Sequence, residues 1–368
     1  MRDHIGALIE SAPTDATNQQ SISFADFMRA ALYAPGLGYY TAGATKLGHG
    51  GDFVTAPELS SFFGAALADA FRPMAPRQVL ELGAGTGKLA EDFLAAFSER
   101  DSVPRYEILE VSADLRQRQE ERLRKRNVAW HEAVPERIDG LVLANEVLDA
   151  VPCEIVRYAA GRYEQGRVAR AAAGDNGFAW HWHPLSDGPL FDAARARIPP
   201  MEGYTTEVNL EAEALVATLA ERLSGDGAIC FIDYGFPRRG YYVDDRAAGT
   251  LACHFQHRAH FDPLILPGLQ DITAHVDFTA MAEAAVDAGA GVICYATQAQ
   301  FLLAADMLSR LQAHDFATDV ERFAATGAIQ KLLAPSEMGE LFKVLVVGKA
   351  GAVDRLQNLA RIDQSYRL

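Results

Sequence analysis

The chain has 368 residues, of which 49% are apolar, and a formal net charge of −15. It is long for one average domain and apolar enough to pack a sizeable core, but the acidic balance argues against the broad, basic footprint of a nucleic-acid binder. No apolar run is long enough to cross a bilayer, and the four cysteines (Cys153, Cys230, Cys253, Cys294) form no C-x-x-C pair, so they read as reduced thiols of a cytoplasmic protein.

Met1 to Gln20 is polar and mixed in charge, without a secretory core, and Asp3 and Glu10 argue against an organelle presequence. The first predicted helix runs over 22–32, with Phe24, Phe27, Met28, Ala31 and Leu32 as its apolar stripe and Ser23 as its N-cap. The aromatic turn Tyr33–Tyr40 leads into the glycine-rich run Gly48–Glu58, which reads as a mobile or ligand-hugging loop. A helix follows over Ser60–Phe71. This N-terminal part either caps the mouth of a site or is a plain packing extension.

Val79–Leu82 reads as a strand that ends in three alternate glycines, Gly83-Ala84-Gly85-Thr86-Gly87, before a helix marked by Leu89, Phe93, Leu94 and Phe97. Strand, glycine turn and helix start together suggest a nucleotide site at the carboxyl edge of a parallel sheet, where glycines let the backbone approach a ligand closely. The structural alternative is simply a close strand-to-helix turn. A dinucleotide motif, G-x-G-x-x-G, would need glycine at position 88, where Lys88 stands. The form that begins at Glu81, E-x-G-x-G-x-G, is the one shown by S-adenosylmethionine (SAM) enzymes of the Rossmann-like class.

A second strand is predicted over Tyr106–Val111, followed by a helix from Ser112 to about Arg124. Glu110, near the strand's end, is placed to accept both hydroxyls of a ribose. A shorter strand, Val128–Ala133, puts Glu132 where it would face an adenine amino group. The apolar run that begins at Leu141 reads as a buried parallel strand that stops in Asn145-Glu146, with Asp149 three residues on; this is the best catalytic candidate in the chain.

From Glu154 to Leu190 the pattern changes to antiparallel hairpins, in which His181 and His183 alternate with aromatics and face solvent rather than a metal. Tyr204–Leu210 carries Glu207 and Asn209, Leu210–Leu223 is a helix, and Ala228–Gly235 is a fifth core strand. The irregular segment Phe236–His275 contains His254, His257 and His260 at a spacing that would place them on one side of a short helix. No cysteine completes a zinc set there, and substrate binding or general-base roles rank ahead of a metal. Helices are expected over Thr279–Ala288 and Gln300–Gln312, strands over Gly291–Ala296 and Phe342–Gly348, and a peripheral tail after Val353.

With these segments in place, the chain resembles the MidA-like family, which includes a mitochondrial methyltransferase needed to assemble respiratory complex I. The resemblance spans about Ile22 to Gly348. It rests on Pro35-Gly36-Leu37-Gly38-Tyr39-Tyr40, Gly51–Glu58, Glu81–Gly87, Asn145–Pro152, Asp233-Tyr234-Gly235, Gly249-Thr250-Leu251 and Asp271–Phe278. It implies an α/β fold, a Rossmann-like seven-stranded class I methyltransferase sheet with an N-terminal helical extension and an antiparallel β insertion. The corresponding division is 1–76 as a cap, 77–153 with 227–350 as the SAM-binding core, 154–226 as a substrate-side insertion and 351–368 as a tail. The resemblance implies SAM as cofactor, with Thr55, Glu81, Gly83, Ala84, Gly85, Thr86, Gly87, Glu110, Val111, Glu132 and Asn145 around it, and with Asp52 and Thr55 closing over its methionine end. For the mitochondrial member it implies symmetric dimethylation of an arginine in a complex I subunit, hence a protein substrate.

An arginine acceptor makes a specific demand. The guanidinium is planar and charged, so carboxylates must fork onto its N–H groups. Glu146 is the expected first acid, with Asp149 or Glu207 as the second; the competing reading is that Glu146 pairs with an arginine or caps a helix. The rival functions are methylation of a small-molecule oxygen or nitrogen, with His257 or His260 as base, and an assembly chaperone that merely binds SAM. A nicotinamide oxidoreductase is disfavoured by Lys88.

Overall fold

The structure, a computed structural model, describes residues 1–15, 18–43, 54–98, 103–171 and 177–368. Its centre is a mixed sheet whose principal strands are β1 (Gln78–Leu82), β2 (Arg105–Leu109), β3 (Val128–His131), β4 (Gly140–Asn145), β5 (Ala228–Phe236), β6 (Gly291–Thr297) and β7 (Phe342–Gly348). In space the order is β6-β7-β5-β4-β1-β2-β3. The pairs from β5 to β3 are parallel, and β7 runs antiparallel to both β5 and β6. A short strand, Val276–Asp277, extends the far end of β5.

Both faces of this sheet are covered, which is why β1 and β4 read as apolar runs rather than as alternating patterns. One face packs on helices Ser61–Phe71, Lys88–Ser98 and Gln298–Ala304 through Phe63, Phe71, Phe93 and Phe301. The other packs on helices Leu210–Arg222 and Phe278–Asp287 through Val216, Leu219 and Phe278. The parallel strands end level with one another: Leu82 of β1 pairs with Leu109 of β2 and Ala144 of β4, and Asn145 pairs with Ile232 of β5. Strand order reverses between β1 and β4, and the crevice beyond such a reversal is where open α/β sheets bind ligands.

A second sheet is antiparallel. It joins Glu154–Ala159, Arg162–Arg170, Phe178–Pro184 and Thr205–Val208, and takes in the two residues Ile22–Ser23. Helices Arg2–Ser11 and Phe24–Tyr33 lie against it, burying Ile5, Ile9, Phe24 and Phe27 with Ile155, Val168 and Trp180. Among the described residues, no helix is long and apolar enough to cross a membrane.

Several expectations change. Helix Arg2–Ser11 was hidden by its charged residues, yet Ile5 and Ile9 sit four apart on one buried face. The helix expected over 300–312 breaks into Gln298–Ala304 and Met307–Ala313, because Asp306 takes a left-handed conformation with φ of 56°. The three histidines do not share a helix. His254 and His260 lie on the antiparallel strands Ala252–Phe255 and Arg258–His260, and His257 is in the tight turn between them at φ of 59°. The tail after Val353 is not peripheral: Leu356 and Leu359 are fully buried in the core.

Candidate active site

Beyond the carboxyl ends of β1, β2 and β4 lies a cavity of about 260 Å³. The β1 side contributes Glu81, Gly83, Ala84, Gly85 and Thr86, the β2 side Glu110 and Val111, and the β4 side Asn145, Glu146 and Val147. Tyr33, Tyr40, Thr55 and Glu58 close it from the N-terminal part. Asp52, expected near Thr55, lies outside the described residues.

The glycine turn has the conformation its composition suggests. Gly83 and Gly85 have φ of 60° and 53°, a region that side chains with a Cβ enter only at a cost of about 1–2 kcal/mol. A Cβ on Gly83 would also stand 3.4 Å from Val147. Gly87 is left-handed as well, but it is not part of the cavity wall; it faces Gln119 and Leu123 and turns the chain into helix Lys88–Ser98. Thr86 hydrogen-bonds to Glu58, joining the turn to the N-terminal segment.

Glu110 is held at both oxygens. Its Oε1 accepts the Ser112 backbone N–H at 2.9 Å and its Oε2 accepts the Gln119 side-chain amide at 2.9 Å. Burial raises its pKa, and these two donors, together with the Val111 backbone N–H, oppose the rise. One donor on each oxygen leaves further acceptor capacity on both, which is what a vicinal diol requires. With the side-chain-free turn opposite, these residues fit an adenosyl group. Glu81, buried beneath the turn, accepts a bond from Tyr106 Oη at 2.8 Å. Burial pushes its carboxyl up to about 8, and the neighbouring Glu110 adds to the effect.

At the β4 end, Glu146 takes a left-handed conformation with φ of 54°, uncommon for a residue bearing a side chain and often found at functional turns. Asn145 Nδ2 donates to its Oε1 at 3.1 Å, while Asn145 Oδ1 is buried without a partner. Burial lifts the Glu146 carboxyl to about 8, and the charge of Asp233 adds to that. Asp149 is only 5% exposed, its Oδ1 has no partner, and burial together with Asp233, Asp271 and Glu146 raises its pKa far above the carboxylate range. It does not line the cavity, although Val147 and Ala150 beside it do. Among the described residues no Lys or Arg pairs with Glu146 or Asp149.

The aromatic wall comes from the turn Tyr33–Tyr40. The two rings stack with centroids 5.6 Å apart, Tyr33 Oη donates to Ala150 O at 2.9 Å, and Tyr40 Oη donates to Asp271 Oδ1 at 2.9 Å. These bonds join the N-terminal part to the segment after β4 and to the segment before Val276–Asp277.

Besides Gly87 and Asp149, two further expected site residues stand off the cavity wall. Glu132 is off the cavity, with its side chain 87% exposed and an ion pair to Arg116 at 3.9 Å. Glu207 is also off the cavity. Its carboxylate accepts the backbone N–H groups of Thr250 and Leu251 at 2.9 Å, the Thr250 hydroxyl at 3.0 Å and Tyr241 Oη at 3.1 Å. A carboxylate so fully engaged fastens the Gly249-Thr250-Leu251 loop and has little capacity left for a substrate. His257 and His260 are likewise absent from the cavity wall.

Sequence reasoning missed Gln119, Asp233, Tyr33 and Tyr40 as parts of the site. Asp233 was visible as a polar residue ending a core strand, and Gln119 lies four residues after Leu115, on the helix face that meets the cavity.

Residues 62–296 match the family model of S-adenosyl-L-methionine-dependent methyltransferases, Methyltransf_28. The chain is 30% identical to the mitochondrial protein arginine methyltransferase NDUFAF7 homolog of Drosophila melanogaster, over 93% of this chain and 85% of that one. It is 30% identical to the mitochondrial protein arginine methyltransferase NDUFAF7 of Danio rerio, over 89% and 83%. Among solved structures it is similar to a COG1565 superfamily member from Burkholderia thailandensis bound to S-adenosyl-homocysteine. That similarity has a TM-score of 0.90 and 42% identity, and covers 100% of this chain and 96% of that one.

Proposed function

Because the chain belongs to the family of S-adenosyl-L-methionine-dependent methyltransferases, we propose that the group it methylates is an arginine side chain of a protein. The observation that carries this reading is Glu146, a half-buried acid on the cavity wall without a described basic partner, with the buried Asp149 close behind it carrying an unpaired oxygen. An acid in that state favours a cation that brings several N–H donors. The names of the Drosophila and zebrafish relatives support the same acceptor.

On this reading the Glu110 carboxylate takes the ribose hydroxyls of the cofactor, and the bare main chain at Gly83–Gly85, with Ala84, Thr86, Glu81, Val111, Asn145 and Thr55, encloses the rest. The cofactor supplies a methyl group made electrophilic by a sulfonium sulfur. The protein's part is positioning and exclusion of water. Glu146 Oε atoms accept N–H bonds from the guanidinium and orient its reacting nitrogen, and Asp149 sits behind it, off the cavity wall. The nitrogen loses a proton on alkylation, and the Glu146 carboxylate is placed to receive it. Tyr33 and Tyr40 shut water from that end.

A subunit of respiratory complex I is the acceptor that the MidA-like resemblance favours, with the cytoplasm as the place of reaction. The strand order fits the class I methyltransferase arrangement, with 77–153 and 227–350 as core, 154–226 as the substrate-side insertion and 1–76 as the cap.

The test pairs Glu146→Gln with tritiated SAM and extract from a strain that lacks the protein. Added wild-type protein should label a discrete band whose hydrolysate contains methylarginine. Glu146→Gln should bind S-adenosylhomocysteine as the wild type does and label nothing. Normal labelling by that variant, or methyl groups found only on small molecules, would overturn the reading.

A further inference from the structure

We propose that Gln119 is a positioning residue for the ribose of the cofactor and acts through Glu110; the proposal rests on the placement of SAM above. Gln119 lies on helix Ala113–Leu123, is 0% exposed and is not part of the cavity wall, so any influence on a ligand must pass through its neighbours.

Its amide makes three bonds. Nε2 donates to Glu110 Oε2 at 2.9 Å and to Gly85 O at 2.9 Å, and Oε1 accepts from Trp130 Nε1 at 2.9 Å. An indole N–H can only donate, so Trp130, on β3, admits one orientation of the amide, with the carbonyl toward the indole and the NH2 toward Glu110. The reversed amide would set its NH2 against the indole N–H and its oxygen against the carboxylate.

The consequence is geometric. The Ser112 N–H and the Gln119 amide each fix one Glu110 oxygen, so the carboxylate cannot rotate and its remaining acceptor directions stay in the cavity. The same NH2 group also grips Gly85 O, which sets the distance between the glycine turn and the acid, the two walls that a nucleoside must span at once. Leu115, four residues before Gln119, completes that wall with an apolar contact.

The experiment is calorimetric titration of wild type, Gln119→Leu and Trp130→Phe with two ligands: S-adenosylhomocysteine and its analogue lacking the 2′- and 3′-hydroxyls. Loss of a hydrogen bond that holds a charged group should raise the Kd of Gln119→Leu for S-adenosylhomocysteine about tenfold or more. The dideoxy analogue should weaken by less than about threefold, because it does not use Glu110. Trp130→Phe should shift the same pair of values in the same direction by a smaller factor, and it keeps the test decisive if Gln119→Leu does not fold. Equal weakening for both ligands, or none for S-adenosylhomocysteine, would overturn the relay. Wild-type protein that binds neither ligand would instead overturn the cofactor placement on which it rests.

Discussion

Asp233, inside β5, holds the main chain of Asp149, beyond the end of the neighbouring strand β4. Its Oδ2 accepts the backbone N–H of Asp149 at 3.3 Å, together with those of Val147 and Leu148 at 3.2 and 2.9 Å, while Oδ1 accepts its neighbour Tyr234 N–H at 2.9 Å. One carboxylate thus collects four donors, three of them from the short turn that carries the proposed arginine-binding acids. Burial lifts the Asp233 carboxyl to about 7, and the four N–H groups restrain that rise. Asp233→Ala should cost about 2–4 kcal/mol through the buried donors it strands. It should lower methyl transfer at least about tenfold while S-adenosylhomocysteine affinity changes less than about threefold. Calorimetry beside tritium transfer checks this; a parallel fall in both would place Asp233 in cofactor binding instead.

On the proposed reading, Glu146 should give the reaction its pH dependence. A protonated carboxyl cannot grip a guanidinium, and in the free enzyme burial holds this group near 8. kcat/KM for the acceptor should therefore rise with pH and level off above about 8. A flat wild-type profile between about pH 6 and 9 would count against Glu146 as the gripping acid.

Glu81 makes a prediction about stability. Its pKa is about 8 in the folded chain against an ordinary 4.5, so the folded state holds the proton more tightly. The stability linked to Glu81 is then complete below about pH 4.5 and is lost as pH rises through about 8. Glu81→Gln keeps an acceptor for Tyr106 and removes the charge. It should raise stability at high pH by roughly 1–3 kcal/mol and leave it little changed at pH 5. Scanning calorimetry of both proteins across that range tests it, and melting curves that shift in parallel would refute it.

Glu207 should behave as a fastener. Glu207→Ala frees the N–H groups of Thr250 and Leu251 and should cost about 2–3 kcal/mol with unchanged S-adenosylhomocysteine affinity. Gly249→Ala should act similarly, because Gly249 has φ of 80° and an added Cβ would collide with Glu207 Oε1. Denaturant unfolding measures both. A variant of full stability that has lost methyl transfer would return Glu207 to the list of substrate acids.

How much could be read in advance differs from one part of the site to another. Alternate glycines after an apolar strand mark the turn, since left-handed backbone and an open approach are properties of the residues themselves. Glu110 is legible for a related reason: it follows its strand at the level where all the parallel strands stop. The apolar runs of β1, β4 and β5 likewise announce strands buried on both faces.

The roles of the acids are a different matter. Glu146, Asp149 and Glu207 look alike along the chain, yet their states depend on which donors reach them from distant segments. Thr250 and Leu251, more than forty positions away, satisfy Glu207, and nothing comparable reaches Asp149 Oδ1. Glu132 and the three histidines follow the same rule, because solvent or a hairpin takes them where local spacing suggested a ligand. Composition and local backbone preference therefore sufficed to mark the cofactor edge of this protein. Only tertiary packing could decide which carboxylates are already satisfied and which keep acceptor capacity, because hydrogen-bond partners are assigned by folding rather than by order along the chain.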